Sequence, residues 1–274
     1  MGANEDVSTE ELDELIQLIR EVYGFDFSHY TKASFKRRVL RIIQLKKIAF
    51  WELKAQLIND QAFFQHFLDE ITVNVTEMFR DPSFYQSVNT QVLPYLSTFP
   101  HIKIWSAGCS SGEEAYSLAI LMKEAGLNNK SFIYGTDINA EMISQAKKGI
   151  YSLRNIKSYA ENYLQTGLPG TLTDNFTVMY DAATIHSEFK TNTLFSIHNL
   201  ISDNIFNEFQ MIICRNVFIY FDSALQDKIL DVFYNSLCSF GFLCLGSKET
   251  IRSDYYKKRL KIVNPRENIY QKIE

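Results

Sequence analysis

The chain has 274 residues, enough for one large domain or two small ones. With 46% hydrophobic and 22% charged residues, and only 11 Gly and 5 Pro, it is neither wholly disordered nor collagen-like. The 28 basic and 32 acidic residues leave a net charge of −4, which argues against life on bulk nucleic acid. The cysteines, Cys109, Cys214, Cys238 and Cys244, form no C-x-x-C pair and sit in apolar runs. They read as small buried hydrophobes, and no metal site is expected. Met1 to Glu14 is acidic and lacks an apolar signal-peptide core, so no leader is expected. Asp6 stands where a myristoylation signal wants Ser or Thr. The most apolar stretch, Met211 to Phe221, is short and broken by Arg215 and Asn216. A soluble, reduced, cytoplasmic chain without membrane insertion is expected.

The first hundred residues read as helices. Ser8 and Glu11 have capping-box spacing, Leu12, Leu15, Ile16, Ile19 and Val22 follow the helical period, and Gly24 suits a C-terminal cap. A second helix is predicted over about Thr31 to Lys47, with Phe35, Val39, Ile42 and Ile43 inward. A third covers about Trp51 to Ile58, and a fourth starts near Gln61. Pro82 interrupts the chain, and a further helix reaches Pro94.

After Pro100 strands and helices alternate, which implies an α/β sheet. Strands are predicted at Ile102 to Ala107, Ser131 to Thr136, Met211 to Cys214 and Phe242 to Gly246, with one or two more between Lys261 and Gln271. Helices are predicted at Glu113 to Ala125, Ala140 to Gly149 and Leu225 to Ser239. Between Tyr151 and Ile197 the rhythm fails. Alternating segments such as Phe176 to Tyr180 and Thr193 to Ile197 point to an insertion with some β-structure.

A strand, then Gly108-Cys109-Ser110-Ser111-Gly112, then a helix is the cofactor-loop geometry of a doubly wound sheet. Its glycines let the backbone turn tightly and approach a ligand. No Gly-Lys-Ser/Thr follows, and the spacing is not G-x-G-x-x-G. Instead Glu113 and Glu114 follow at once, and these acids repel phosphate but suit an ammonium or sulfonium. Asp137 ends the second strand, where an acid binds ribose hydroxyls. A ribose, a cation and no phosphate describe S-adenosylmethionine. A plain packing loop remains open on these residues alone, because acids favour helix N-termini in any case.

Four segments resemble the chemotaxis receptor glutamate methyltransferase (CheR) family, and the resemblance spans nearly the whole chain. They are Asn74 to Asp81 (NVTEMFRD), Trp105 to Ser117 (WSAGCSSGEEAYS), Gly135 to Ile138 (GTDI) and Cys214 to Phe221 (CRNVFIYF). The resemblance implies an α/β fold: a Rossmann-like S-adenosylmethionine-dependent methyltransferase sheet, with an N-terminal all-helical domain and a small inserted β-subdomain. The helical domain is placed at 1–97, the methyltransferase domain at 98–274 and the insertion at about 151–197. In some relatives that subdomain grips a receptor tail peptide. No glycine-rich loop supports gripping here, and tail-independent recognition is expected.

The resemblance also implies site residues. Arg80 would pair with the methionine carboxylate, to which a guanidinium fork is suited. Asn74 and Thr76 would bind the same end of the cofactor, Glu113 or Glu114 its amino group, and Asp137 its ribose. Asn199 and Leu200 would lie beside the adenine. Gly108, Arg215 and Asn216 would also bind the cofactor, and Arg215 and Tyr220 would be catalytic, near the transferred methyl group. By the same resemblance the acceptor would be a glutamate side chain and the cofactor product S-adenosylhomocysteine. A carboxylate of pKa about 4.3 is ionised at pH 7, so no general base is needed. None of the five histidines falls inside these motifs.

Lys32, Lys36, Arg37, Arg38, Arg41, Lys46 and Lys47 form a basic run without an acid. Patterning alone allows nucleic acid, anionic lipid or an acidic protein surface as partner. The resemblance implies docking through Lys32, Lys36, Arg37, Arg38 and Arg41 on the methylation helices of a chemoreceptor's cytoplasmic region. It implies no nucleic-acid partner, and a monomer is expected. The competing readings are a cofactor-binding sensor and a methyltransferase of the same fold with another acceptor.

Overall fold

The computed structural model describes residues 7–72, 75–203 and 205–274, which form two compact units. The first comprises the residues before Val75 together with Tyr220–Gln226. Its helices are α1 (Thr9–Tyr23), α2 (Lys32–Lys46), α3 (Phe50–Asn59) and α4 (Gln61–Ile71). The capping box forms: the Glu11 N–H donates to the Ser8 hydroxyl at 3.2 Å, and the Ser8 N–H donates to the Glu11 carboxylate at 2.8 Å. Gly24 ends α1 at φ +74°. Leu12, Leu15, Ile16 and Ile19 are buried, whereas Val22 is 47% exposed. The apolar stripe continues instead through Tyr23, four residues after Ile19, whose ring stacks on Phe64 at 3.6 Å. Asp60 links α3 to α4, its carboxylate accepting from the Ala62 and Phe63 N–H groups. Phe35, Val39, Leu53, Leu57, Phe67 and Leu68 fill the centre of the unit.

The second unit holds Val75–Ile219 and Asp227–Glu274. It begins with α5 (Pro82–Ser87), a π turn at Val88–Val92 and α6 (Leu93–Leu96). The π turn precedes Pro94, which lacks an N–H and whose ring crowds the preceding turn of a regular helix. Next come β1 (Ile102–Ala107), α7 (Glu113–Glu124), β2 (Ser131–Asp137), α8 (Ala140–Lys148), β3 (Ile150–Ser152), α9 (Leu153–Gln165), β4 (Phe176–Met179) and β5 (Ala182–Ile185). The chain continues through α10 (Ser187–Thr191), β6 (Thr193–Ile197), β7 (Phe209–Cys214), α11 (Ser223–Ser236), β8 (Leu237–Leu245), α12 (Asp254–Lys257), β9 (Leu260–Asn264) and β10 (Ile269–Lys272).

Seven strands form one sheet in the order β6-β2-β1-β7-β8-β10-β9. β6, β2, β1, β7 and β8 run parallel, while β10 pairs antiparallel with both β8 and β9. From β1 the chain builds outward through β2 to β6, then returns to place β7 on the other side of β1. That reversal makes the carboxyl ends of β1 and β7 the topological switch point, the place where open α/β sheets bind ligands.

Three features differ from the sequence expectation. The units divide before Val75, not after residue 97, because Met78, Phe79, Phe84, Tyr85, Val88 and Val92 bury their side chains in the sheet unit's core. Thr193–Ile197 is an edge strand of the main sheet, paired with β2, so the small antiparallel sheet β3-β5-β4 ends at Ile185. The insertion also contains the 13-residue helix α9, which buries Ile156, Tyr159 and Tyr163. All four cysteines are buried and unpaired. Among the described residues no helix is long and apolar enough to cross a membrane.

The Ser8 cap gives a direct test of the helical unit. Ser8→Ala is expected to lower stability by about 1 kcal/mol in urea unfolding of the full chain. An unchanged midpoint would show that the cap contributes nothing.

Candidate active site

The β1–α7 loop is held by the end of β2. The Gly108 and Cys109 N–H groups both donate to the Thr136 carbonyl, at 2.8 and 2.9 Å. The Ser110 N–H donates to Asp137 Oδ2 at 2.8 Å, and the Asn139 N–H donates to Asp137 Oδ1 at 2.9 Å. Gly108 has φ +77°, and a Cβ there would lie 2.6 Å from Val217 Cγ2. Only glycine meets both conditions, and the contact sets the loop directly against the turn that follows β7.

That turn carries Arg215 and Asn216. The Arg215 side chain is 3% exposed. Its Nη2 lies 2.6 Å from Asp81 Oδ2, its Nη1 donates to the Arg80 carbonyl at 3.2 Å, and Nη1 stands 3.8 Å from Glu114 Oε2. The guanidinium also covers the Phe84 ring at 4.1 Å. Its buried Nε has no hydrogen-bond partner among the described residues. Arg215 thus clamps the Arg80–Phe84 segment onto the strand ends. That segment is pinned further on: the Phe79 N–H donates to Ser117 Oγ at 2.9 Å, and Asn162 donates to the Met78 carbonyl at 3.1 Å. Phe79 and Asp81 both have positive φ, a conformation that persists only where the surroundings impose it.

The two adjacent glutamates face different neighbours. Glu114 accepts from Ser106 Oγ at 2.8 Å and lies beside Arg215, at the carboxyl ends of β1 and β7. Burial pushes its pKa up, and Arg215, with a smaller contribution from Arg80, pulls it back. Glu113 accepts from Ser111 Oγ at 2.8 Å and from the Tyr159 hydroxyl at 3.2 Å, toward the insertion. Burial pushes Glu113 up to about 7, with those hydroxyls opposing. Burial likewise raises Asp137, against the backbone N–H groups of Asn139, Ser110 and Ile138.

Other expected residues are placed as follows. Asn74 lies outside the described residues. Thr76 is half-buried, four residues before Arg80, and Arg80 Nη1 donates to the Val75 carbonyl at 3.1 Å. Asn199 and Leu200 follow β6, and the His198 N–H donates to the Asp137 carbonyl at 3.0 Å, which brings this turn beside the acid. The Asn199 side chain accepts from the Ile201 N–H at 2.9 Å and so shapes its own turn. Tyr220 belongs to the helical unit, where its carbonyl accepts from the Thr31 N–H at 2.9 Å. On α2, Lys32 pairs with Asp13 at 2.8 Å and Arg41 with Glu70 at 3.4 Å. Lys36 and Arg38 are half-buried and Arg37 is exposed.

Two anchoring residues were not singled out by the sequence. Asp81 follows Arg80 in a quoted motif, yet its role depends on a partner 134 positions away. Glu249 lies just beyond the strand predicted at Phe242 to Gly246. It is buried and accepts from the N–H groups of Gly246 at 2.6 Å, Asn216 at 3.1 Å and Ile219 at 3.3 Å. One carboxylate therefore fixes the turn that presents Arg215, with Asn216 at φ +62°. An acid four residues beyond the end of an apolar strand was the available signal.

Between its ordinary value of 4.5 and about 7, the folded chain keeps a proton on Glu113 that the unfolded chain has released. This group's contribution to stability therefore falls as pH rises through that window. Glu113→Gln, neutral throughout, is expected to be about 2–3 kcal/mol more stable relative to wild type at pH 8 than at pH 5. Denaturant unfolding at the two pH values measures this, and parallel pH profiles would contradict it.

The residues fit S-adenosylmethionine chemically. Two carboxylates buried at strand ends favour a ligand that brings positive charge, Arg80 can meet a carboxylate, and no lysine closes the loop on a phosphate. Comparison with known proteins agrees. Residues 74–266 match the CheR methyltransferase SAM-binding domain, and residues 10–72 match the CheR methyltransferase all-alpha domain. The chain is 41% identical to the "Putative methyltransferase Cher3" of Pseudomonas putida, over 94% of this chain and 95% of that protein. It is 31% identical to a "Chemotaxis protein methyltransferase" of Listeria monocytogenes, over 86% and 88% of the two chains. A protein of the same name from Borreliella burgdorferi is 30% identical, over 96% and 94%. With both domains matched and the strand-end site in place, the chain belongs to the CheR family of S-adenosylmethionine-dependent methyltransferases.

Proposed function

We propose that this protein methylates glutamate side-chain carboxylates of chemoreceptors in the cytoplasm, forming methyl esters in chemotaxis adaptation. The observation that carries this reading is the charge arrangement at the sheet's carboxyl ends. Glu114 and Asp137 are acids held in a buried shell with Arg215, and Arg80 lies on the segment that Arg215 clamps. The relatives named chemotaxis protein methyltransferases support the acceptor class.

When bound, S-adenosylmethionine supplies a methyl group activated by a sulfonium. The chain's residues bind and orient. Glu114 is the acid suited to the amino group, since it lies beside Arg215 at the strand ends while Glu113 is turned toward Ser111 and Tyr159. Asp137, aimed by the Ser110 and Asn139 N–H groups, takes the ribose hydroxyls. Arg80, with Asn74 and Thr76 near it in sequence, takes the carboxylate. Asn199 and Leu200 lie beside the adenine, and Gly108 and Asn216 complete the strand-end wall. Arg215 keeps Arg80 in place through Asp81, and with Tyr220 it orients the incoming carboxylate. That acceptor is ionised at pH 7, so alignment and exclusion of water account for the catalysis.

The basic run on α2 supplies the docking surface. Lys32 and Arg41 also bind acids of their own unit, and Arg37 is an exposed cation between them, with Lys36 and Arg38 half-buried beside it.

The reaction is tested by incubating labelled S-adenosylmethionine with chemoreceptor-containing membranes. Carboxyl esters release their label as methanol in alkali, so base-labile label on the receptor is the expected result. Base-stable label, or none while cofactor binds, would overturn the reading in favour of another acceptor or a sensor. Tyr220→Phe is expected to lower turnover at least tenfold with little change in cofactor affinity, and equal loss of both would remove its orienting role. Charge reversal at Arg37 and Arg38 is expected to raise receptor KM about tenfold and spare cofactor binding. Unchanged receptor kinetics would exclude this surface.

A further inference from the structure

We infer that the inserted segment braces the cofactor loop: Tyr151 of β3 and Tyr159 of α9 are positioning residues that hold Ser111 and Glu113, and so set how tightly the site binds its cofactor. This rests on reading the β1–α7 loop as the cofactor loop.

The contacts form a closed circuit. The Tyr151 hydroxyl donates to the Ser111 carbonyl at 2.9 Å. Ser111 Oγ donates to Glu113 Oε2 at 2.8 Å, and the Tyr159 hydroxyl donates to Glu113 Oε1 at 3.2 Å. The two tyrosines come from different elements of the insertion and reach the loop two residues apart. Both are buried, and Glu113 is only 4% exposed, so each hydrogen bond replaces one that water cannot supply. Burial raises both phenols, which keeps them donors at neutral pH.

Packing alone does not require these hydroxyls. The Tyr151 ring already meets Tyr116, Tyr159 and Phe176 edge-on at 6.2–6.4 Å. Phenylalanine would keep those faces and lose only the polar circuit. The loop needs holding, since Ser110 at φ +50° and Gly112 at φ +92° both adopt left-handed backbone. Thr136 and Asp137 fix one side of the loop through the amides of Gly108, Cys109 and Ser110. The insertion fixes the other side through Ser111 and Glu113. Glu114 is the next residue, so the brace ends where the cofactor's amino group would be met. The insertion therefore has a task that requires no receptor contact.

The test uses the full chain with Tyr151→Phe, Tyr159→Phe and the double variant, and Asp137→Asn as reference. S-adenosylhomocysteine affinity is measured by calorimetry, and amide hydrogen exchange at Ser110–Glu113 is followed in the free protein. Each single variant is expected to raise Kd about threefold to tenfold, the range of one hydrogen bond, and to speed loop exchange. Receptor KM, and turnover at saturating cofactor, should stay within about twofold of wild type. Wild-type Kd and exchange in all three variants, with binding lost in Asp137→Asn, would overturn the brace alone. Normal binding in Asp137→Asn would overturn the cofactor-loop reading on which it rests. Should one phenylalanine variant fail to fold, the other tests its own hydroxyl by the same readouts, and Ser111→Ala removes the Ser111 Oγ–Glu113 bond that links the two contacts.

Discussion

A guanidinium buried among strand ends is tolerable only if its charge and donors are met. Arg215 meets this condition at its two Nη groups, though not at Nε, by drawing in groups distant in sequence: the Asp81 carboxylate, the Arg80 carbonyl, the Phe84 ring and, at longer range, Glu114. The consequence is structural before it is chemical. Residues 78–84 cross the ends of the strands because Arg215 holds them there, and Arg80 is carried with them. Glu249 fixes the other side of the arrangement, since its carboxylate gathers the amides of the turn on which Arg215 sits. Asn268 extends the support by donating to the carbonyls of Gly246 and Glu249.

The site is thus a shell of charges that are already partly paired. Glu114 and Asp137 are raised by burial and lowered again by Arg215 and by backbone amides, respectively. Such a shell is pre-organised for a ligand carrying both signs of charge, because the groups need little rearrangement on binding. The proposed acceptor arrives ionised, so the protein has to align it and needs no general base.

Much of this was legible in the sequence because the signals are local. Ser8 with Glu11, Gly24, the strand–loop–helix around Gly108–Gly112 and Asp137 at a strand end each depend on neighbours within a few residues. What escaped depends on long-range packing. Met78–Leu96 has helical spacing, but only the tertiary core shows that it belongs with the sheet. Thr193–Ile197 alternates as any half-buried strand does, and alternation does not say which sheet it joins. Helix α9 was readable from Ile156, Tyr159 and Tyr163 following Ser152, a capped helical stripe that the surrounding strand-like segments obscured. Which of the two adjacent glutamates faces the strand ends was not readable, since successive helix positions differ by about 100° and either face could be inward.

The central claim is that the Arg215–Asp81 pair shapes the cofactor site as one unit. A double-mutant cycle on S-adenosylhomocysteine affinity tests it most directly, with Asp81→Asn, Arg215→Met and the combined variant. Each single change should weaken binding at least tenfold, and the combined variant should bind no worse than about the weaker of the two. Losses that multiply in the combined variant would show that the two residues act independently and would contradict the account.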